Sequence, residues 1–231
     1  MQKSRHDVNW DDDGVPVSRL FGDAFYSRGN GQAETAYVFL DGNNLPQRWS
    51  SNAEFSIAEL GFGTGLNFLE TWRQWIATRS PGQRLVFTSF EAYPMSTNDM
   101  RKVLARWDAL HDLAPMLVSR WGFANPPLAA WQMDEQTELR VIGGEAEDTV
   151  RQWSGLADAW YLDGFSPAKN QAMWSLVLMQ HVFNHTKRHG TFATYTAAGW
   201  VRRNLLAAGF SARKRKGFSG KREMLQGCKP G

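Results

Sequence analysis

The sequence predicts an α/β protein built on a mostly parallel sheet with helices on both faces. Three observations carry this. Strand-like and helix-like stretches alternate through residues 55–209 with short links. The turn ELGFGTGLNF, residues 59–68, sets Gly61, Gly63 and Gly65 between an apolar run and a helical one. Two strand-like runs, 210–214 and 222–226, then follow the last helical stretch and read as an antiparallel closing hairpin.

Residues 15–50 alternate apolar and polar positions between turn signals: Ala24-Phe25-Tyr26-Ser27, Arg28-Gly29-Asn30-Gly31, Tyr37-Val38-Phe39-Leu40 and Asp41-Gly42-Asn43-Asn44. This predicts a β-hairpin-rich extension over 1–54, ahead of the main domain, 55–231. Residues 55–60 read as the first strand of that domain. Leu66, Leu69, Trp72 and Ile76 have helical spacing, and Ser80-Pro81-Gly82 ends that helix. Residues 85–90 form a second strand, and Ser96 suits the N-cap of a helix carrying Met100, Val103, Leu104 and Trp107. Residues 111–130 read as irregular. A third strand, 139–142, leads to a short helix at 146–153. A fourth, 159–162, stops at Asp163-Gly164 and leads to a helix expected over 171–188, with Gly190 just past its end. A fifth strand, 191–195, precedes a helix over 197–208 closed by Gly209.

A chain of 231 residues with 42% hydrophobic and 21% charged content is long and apolar enough for a sizeable core. No apolar run approaches the roughly 18–20 residues of a membrane span, and the first residues lack a signal-peptide shape, so a cytoplasmic protein with no membrane partner is expected. Cys228 is the single cysteine, which excludes an internal disulfide and a cysteine zinc cluster. The net charge of +3 is uneven: residues 211–231 carry +6 and the rest −3. Arg213, Lys214, Arg215 and Lys216 head that basic segment, a candidate phosphate-backbone contact or else a solvated tail. His181, His185 and His189 stand four apart on the expected fourth helix, but no carboxylate motif supports a metal, so none is expected.

In open α/β sheets ligands sit outside the carboxyl ends of the strands, near the first strand. The glycine turn falls there. Its spacing, Glu59-x-Gly61-x-Gly63-x-Gly65, is neither that of dinucleotide binders nor a phosphate-binding P-loop. Phe62, Thr64 and Asn67 belong to the same turn and to the start of the helix after it. Glu91 ends the second strand, where a carboxylate can accept both hydroxyls of a ribose or stand as an exposed charge. Glu145 and Glu147 follow the third strand, within reach of a base amine or facing a helix dipole; Glu145 is preferred. The stretch YLDGFSPAKNQAMW, residues 161–174, supplies an acceptor, Asp163, with Gly164, Phe165 and Pro167 shaping a loop and Lys169 and Asn170 closing it. Asp163 is a candidate catalytic carboxylate, or a strand-end turn residue.

These motifs, with PVSRLFGDAFYS, AETAYVFLDGNNLPQRW, SFEAYPM, GTFATYTAAGWVRRNLLAAGF and GKREML, are spread over nearly the whole chain. Together they resemble the MnmC-type tRNA 5-aminomethyl-2-thiouridine methyltransferase domain. The resemblance implies a Rossmann-like class I methyltransferase sheet with S-adenosyl-L-methionine as cofactor. It implies that Glu59, Gly61, Phe62, Gly63, Thr64, Gly65, Asn67, Glu91, Glu145, Asp163, Gly164 and Phe165 serve the cofactor, with Asp163 also at the reacting amine. Pro167, Lys169 and the basic residues 213–216 are expected to meet tRNA. Members often carry a flavin-dependent oxidase that makes the amine. The present sequence has no second glycine-rich motif, so methyl transfer alone is expected, with the oxidase in a separate chain or a domain absent from this one. Two other classes fit the residues: a class I methyltransferase acting on another amine or RNA, and a non-catalytic nucleotide- or RNA-binding module.

Overall fold

The computed structural model describes residues 7–28, 30–122 and 128–231. Gly29 of the 28–31 turn, the first six residues and part of the 111–130 stretch lie outside the described residues. The chain opens with a small antiparallel pair, β1 (Val8–Trp10) and β2 (Pro16–Ser18). It then turns helical, where strands were expected. Asn30 accepts from the Ala33 N–H and caps α1 (Gly31–Thr35), which widens into a π-type turn over Ala36–Leu40 and tightens over Asp41–Asn43. Tyr37, Val38, Phe39 and Leu40 are good strand formers, yet Val38, Phe39 and Leu40 are buried in the core and the Asn30 cap fixes the helical path. The hairpin-rich reading therefore holds for residues 8–18 and fails for 31–43.

Among the described residues the main sheet has eight strands. β3 (Glu54–Leu60), β4 (Arg84–Glu91), β6 (Thr137–Gly143), β7 (Ala157–Leu162) and β8 (Thr186–Thr194) are parallel. β5 (Leu128–Asp134), β9 (Ser211–Lys216) and β10 (Glu223–Cys228) complete it through antiparallel pairings, giving the order β5-β6-β4-β3-β7-β8-β10-β9. The expected closing hairpin is β9 and β10.

The central strands are buried on both faces, and successive residues face opposite layers as the pleat requires. Ile57 of β3, with Ala159 and Tyr161 of β7, faces a core shared with α2 (Leu66–Thr78), α3 (Thr97–Leu104) and α4 (Ala114–Trp121). Leu60, Trp160 and Leu162 face a second core with α5 (Ala146–Gln152), α6 (Leu176–Asn184) and α7 (Gly199–Ala208). Residues 38–49 join the first core through Val38, Phe39, Leu40, Leu45 and Trp49.

Three local readings change. α4 and β5 fall in the stretch read as irregular; Pro115 sits in the first turn of α4, where its missing N–H costs nothing. α6 begins at Leu176 because the Ser175 hydroxyl accepts from the Leu178 N–H. It ends at Asn184, and the chain enters β8 two residues later, with His189 at φ 59°. The three histidines therefore share no helix face. Among the described residues no three metal-binding side chains are grouped to hold an ion, and no helix is long and apolar enough to cross a membrane.

Candidate active site

The chain leaves β3 for β4 on one side and later places β7 on the other, so β3 flanks the switch point where α/β sheets bind ligands. A cavity of about 660 Å³ opens there, within the roughly 300–1,000 Å³ of small-molecule sites. Its floor is the glycine turn. Gly61 and Gly63 have φ of +80° and +53°, backbone that L side chains rarely adopt. A Cβ on Gly63 would also come within 3.4 Å of the Phe25 ring. Gly65 differs: it starts α2 at φ +78°, and a Cβ there would meet Leu117 Cδ2 at 2.7 Å. It shapes the helix start from behind the cavity wall.

Glu91 holds the turn from the end of β4. One carboxylate oxygen accepts the Gly63 N–H at 2.9 Å and the other the Tyr93 N–H at 2.7 Å. Each oxygen keeps a lone pair for a further donor. Glu145, at the start of α5, accepts from the Tyr93 hydroxyl at 3.0 Å, and Glu147 accepts from the Ser175 hydroxyl at 3.1 Å; both line the cavity. Phe62 turns its ring away to stack on Trp121, at 4.9 Å between centroids.

Asn67, in the first turn of α2, ties two carboxylates together. Its amide donates to Glu59 Oε1 at 2.9 Å and to Asp163 Oδ2 at 2.7 Å, and its oxygen accepts from Thr35 at 2.7 Å. Glu59 is fully buried and also accepts from the Ser89 hydroxyl at 2.7 Å. Burial raises its carboxyl well above the ordinary range. It stands behind the wall and positions Asn67. Asp163 follows β7 directly and lines the cavity. Burial pushes its carboxyl up to about 7, against the lowering effect of the Gly164 N–H and Asn67.

The loop after Asp163 is held by the first residues of the chain. Ser166 N–H donates to Asp23 at 2.8 Å, and Lys169 donates to the Gly22 carbonyl and pairs with Asp23. Phe165 stacks on Phe21 at 4.7 Å and meets Phe25 edge-on at 5.2 Å. The Tyr195 hydroxyl, its pKa pushed up by burial, donates to the Gly164 carbonyl at 2.9 Å. Residues 21–28 and 30–35 thus roof the cavity.

Of the residues singled out in the sequence, Gly61, Phe62, Gly63, Thr64, Asn67, Glu91, Glu145, Asp163, Gly164 and Phe165 line this one cavity, and Glu59 and Gly65 support it. Pro167 is buried and Lys169 is tied to the roof. Arg213, Lys214, Arg215 and Lys216 lie on the edge strand β9, and none lines the cavity. Lys214 pairs with Glu223 at 2.7 Å, and Arg215 stacks on Tyr37 at 4.4 Å. The roof residues Phe21, Asp23, Phe25, Tyr26 and Glu34, and with them Tyr93, Tyr195 and Lys221, line the cavity without having been singled out. All eight fall within stretches quoted above for the resemblance, PVSRLFGDAFYS, AETAYVFLDGNNLPQRW, SFEAYPM, GTFATYTAAGWVRRNLLAAGF and GKREML, but nothing in their spacing marks them individually as cavity residues.

The fold and this cavity define an α/β enzyme that binds a nucleotide-like cofactor at the carboxyl ends of its strands. A family model described as S-adenosyl-L-methionine-dependent methyltransferase matches residues 73–230. The chain belongs to that family. It is 44% identical over 233 residues to the tRNA 5-methylaminomethyl-2-thiouridine biosynthesis bifunctional protein MnmC of Aeromonas hydrophila, an alignment covering 95% of this chain and 35% of the relative. The protein of the same name from Caulobacter vibrioides is 42% identical, over 96% of this chain and 38% of the relative. The chain thus spans little more than a third of the length of these relatives. Among solved structures, MNMC2 from Aquifex aeolicus superposes with a TM-score of 0.78 at 20% identity, over 100% of this chain and 73% of the other.

The residues fit the family's cofactor. The open backbone at Gly61 and Gly63, whose positive φ disfavours any side chain, gives an approach to a ligand. Glu91 and Glu145 line the cavity with acceptor capacity left after their bonds to the Gly63 and Tyr93 N–H groups and the Tyr93 hydroxyl, which suits a cofactor rich in hydroxyl and amine donors.

Proposed function

We propose that this chain methylates the primary amine of 5-aminomethyl-2-thiouridine at the wobble position of tRNA, giving 5-methylaminomethyl-2-thiouridine. The observation that carries the reading is Asp163, a carboxylate with its pKa near 7 at the end of β7, in a cavity rich in acids. The relatives' printed name, which contains the product nucleoside, supports it.

The backbone of residues 61–64 with Glu91 and Glu145 would hold S-adenosyl-L-methionine. When bound, the cofactor supplies an electrophilic methyl group on its sulfonium sulfur. An alkylammonium has a pKa of about 10, so the substrate arrives charged and without a lone pair. Asp163 accepts one N–H proton, and the nitrogen lone pair becomes free to attack. Moving that proton from a site of pKa about 10 to one of about 7 costs about 4 kcal/mol, a modest part of an enzymatic barrier. Asn67 holds Asp163 Oδ2 and the Gly164 N–H holds Oδ1, so the carboxylate keeps its aim.

Arg213, Lys214, Arg215 and Lys216 are proposed to meet the tRNA backbone from the sheet edge. The oxidase that would make the amine is proposed to lie outside this chain, in the remainder of a longer protein or in a partner. The direct test is mass spectrometry of nucleosides from tRNA bearing 5-aminomethyl-2-thiouridine, incubated with the protein and S-adenosyl-L-methionine. The expected product is the methylaminomethyl nucleoside. Recovery of the unmethylated amine alone rejects the reading.

A further inference from the structure

The Glu34–Lys221 pair belongs to the cavity but not to the steps above. Glu34 sits in α1, next to Thr35, whose hydroxyl donates to Asn67; Asn67 in turn donates to Asp163. Glu34 and Asp163 line the same cavity, and the charge of Glu34 acts on the Asp163 carboxyl, so Glu34 faces the catalytic carboxylate's site from the roof side. One of its oxygens accepts the Ser27 N–H at 3.1 Å, and the other accepts from Lys221 Nζ at 2.6 Å. The two partners differ in freedom. The Glu34 side chain is 11% exposed and fixed by the backbone of its own roof segment. The Lys221 side chain is 43% exposed, on the turn between β9 and β10, with the Tyr195 ring 4.9 Å from its Nζ. A cation can leave this pair for solvent far more easily than the anion can. A largely buried carboxylate left behind is strongly unfavourable unless another cation replaces the first.

We infer that Glu34 is a specificity-determining residue that receives the substrate's charged amine, and that Lys221 holds its place until the substrate arrives. This rests on the amine substrate proposed above. The incoming ammonium takes over the Lys221 hydrogen bond, and Lys221 swings outward. One positive charge replaces another, so the roof stays neutralised as the amine binds, and the nitrogen regains its charge once it is methylated. The exchanged ammonium then lies beside Asp163, ready to give up its proton there. The charges of Glu34 and Lys221 act on Asp163 in opposite senses, behind the larger effects of burial and its two hydrogen bonds, which agrees with their closeness.

The inference gives the two partners opposite mutant effects. A purely structural ion pair gives both the same sign. Steady-state methyl transfer to aminomethyl-tRNA by the full chain separates them. Glu34→Gln keeps the size and an acceptor for Ser27, and is expected to raise KM for the tRNA at least tenfold with a smaller change in kcat. Lys221→Met is expected to lower KM several-fold. Affinity for S-adenosyl-L-methionine, measured by calorimetry, should stay within about twofold in both. KM shifts of the same sign, an unaltered KM in either variant, or cofactor affinity that moves with KM overturns the inference. Absence of any methyl transfer by the unmodified chain, with cofactor binding intact, overturns the substrate reading instead.

Discussion

Replacing Asp163 with asparagine tests the proton step with a magnitude worked from the site. Asparagine keeps an oxygen for the Gly164 N–H but removes the charge that accepts the amine's proton. Without that acceptor only substrate already neutral in solution can react. With an amine pKa of about 10, that fraction is about 10⁻³ at pH 7 and rises about tenfold per pH unit. The variant is expected to be slower at pH 7 by a factor within the roughly 10²–10⁴ span of general acid–base groups, because the amine must lose its proton to solvent rather than to a carboxylate held beside it, with the deficit shrinking toward pH 10. The wild-type rate should instead fall below pH 7, where Asp163 with its carboxyl near 7 becomes protonated and accepts nothing. Single-turnover rates over pH 5–10 at saturating S-adenosyl-L-methionine read both profiles. A variant with the wild-type profile refutes the role of Asp163 as proton acceptor. The same displaced pKa has a stability sign. The ordinary value is 3.8 and the folded value about 7, so the folded state holds the proton more tightly. The cost of ionising Asp163 is absent below pH 4 and accrues as pH rises through 7. Complete desolvation would make it about 4 kcal/mol, and water reaching the cavity reduces this to roughly 1–3 kcal/mol. Asp163→Asn also turns an amide N–H towards the Asn67 amide that donates to Oδ2, a loss present at every pH; its Tm relative to wild type should therefore be higher at pH 8 than at pH 4, as thermal melts at the two pH values will register.

Other outcomes follow from the same geometry. Glu91→Ala removes the acceptor for the Gly63 and Tyr93 N–H groups as well as the proposed ribose ligand, and is expected to weaken S-adenosyl-L-methionine by at least 1.5–3 kcal/mol; a Kd within twofold of wild type by calorimetry rejects that role. Gly63→Val and Gly65→Ala separate binding from packing. The first faces the cavity and should abolish cofactor binding in a folded protein, while the second drives a Cβ into Leu117 and should lower Tm. Circular dichroism with a binding titration distinguishes them, and equal effects of the two on both readouts contradict the assignment. Neutralising Arg213, Lys214, Arg215 and Lys216 should weaken tRNA binding and flatten the slope of log K against log salt by roughly 0.7–0.9 for each phosphate that the variant leaves unneutralised. An unaltered slope in filter binding would place the RNA on another face.

The parallel sheet was legible because each of its signals is local. The apolar runs, the glycine turn, the Ser96 cap and Gly209 at φ 113° each act within a few residues, and the structure uses them as read. The roof was not legible. Tyr37-Val38-Phe39-Leu40 has the composition of a strand, and its burial against the sheet together with the Asn30 cap upstream makes it helical. The Asp163 loop was recognised as chemical, but its partner Asp23 is 143 residues away from Ser166, and no periodicity links them. Glu59 was read as a cofactor residue, and the structure has it one layer behind the cavity wall. Its carboxylate acts through Asn67, a distinction that depends on side-chain direction rather than on motif spacing.

The bond from Lys221 to Glu34 joins residues 187 positions apart. Closing so long a loop yields nothing until the sheet between its ends exists, so the roof belongs to the late events of folding. It is equally the part expected to open early, since the Lys221 side chain that closes it is partly exposed. In a urea series, affinity for S-adenosyl-L-methionine should therefore disappear at a lower concentration than the far-ultraviolet signal of the sheet. A mutation anywhere along residues 21–28 or 30–35 can then silence the enzyme while leaving a protein that looks folded, and saturating cofactor should rescue such a variant by mass action.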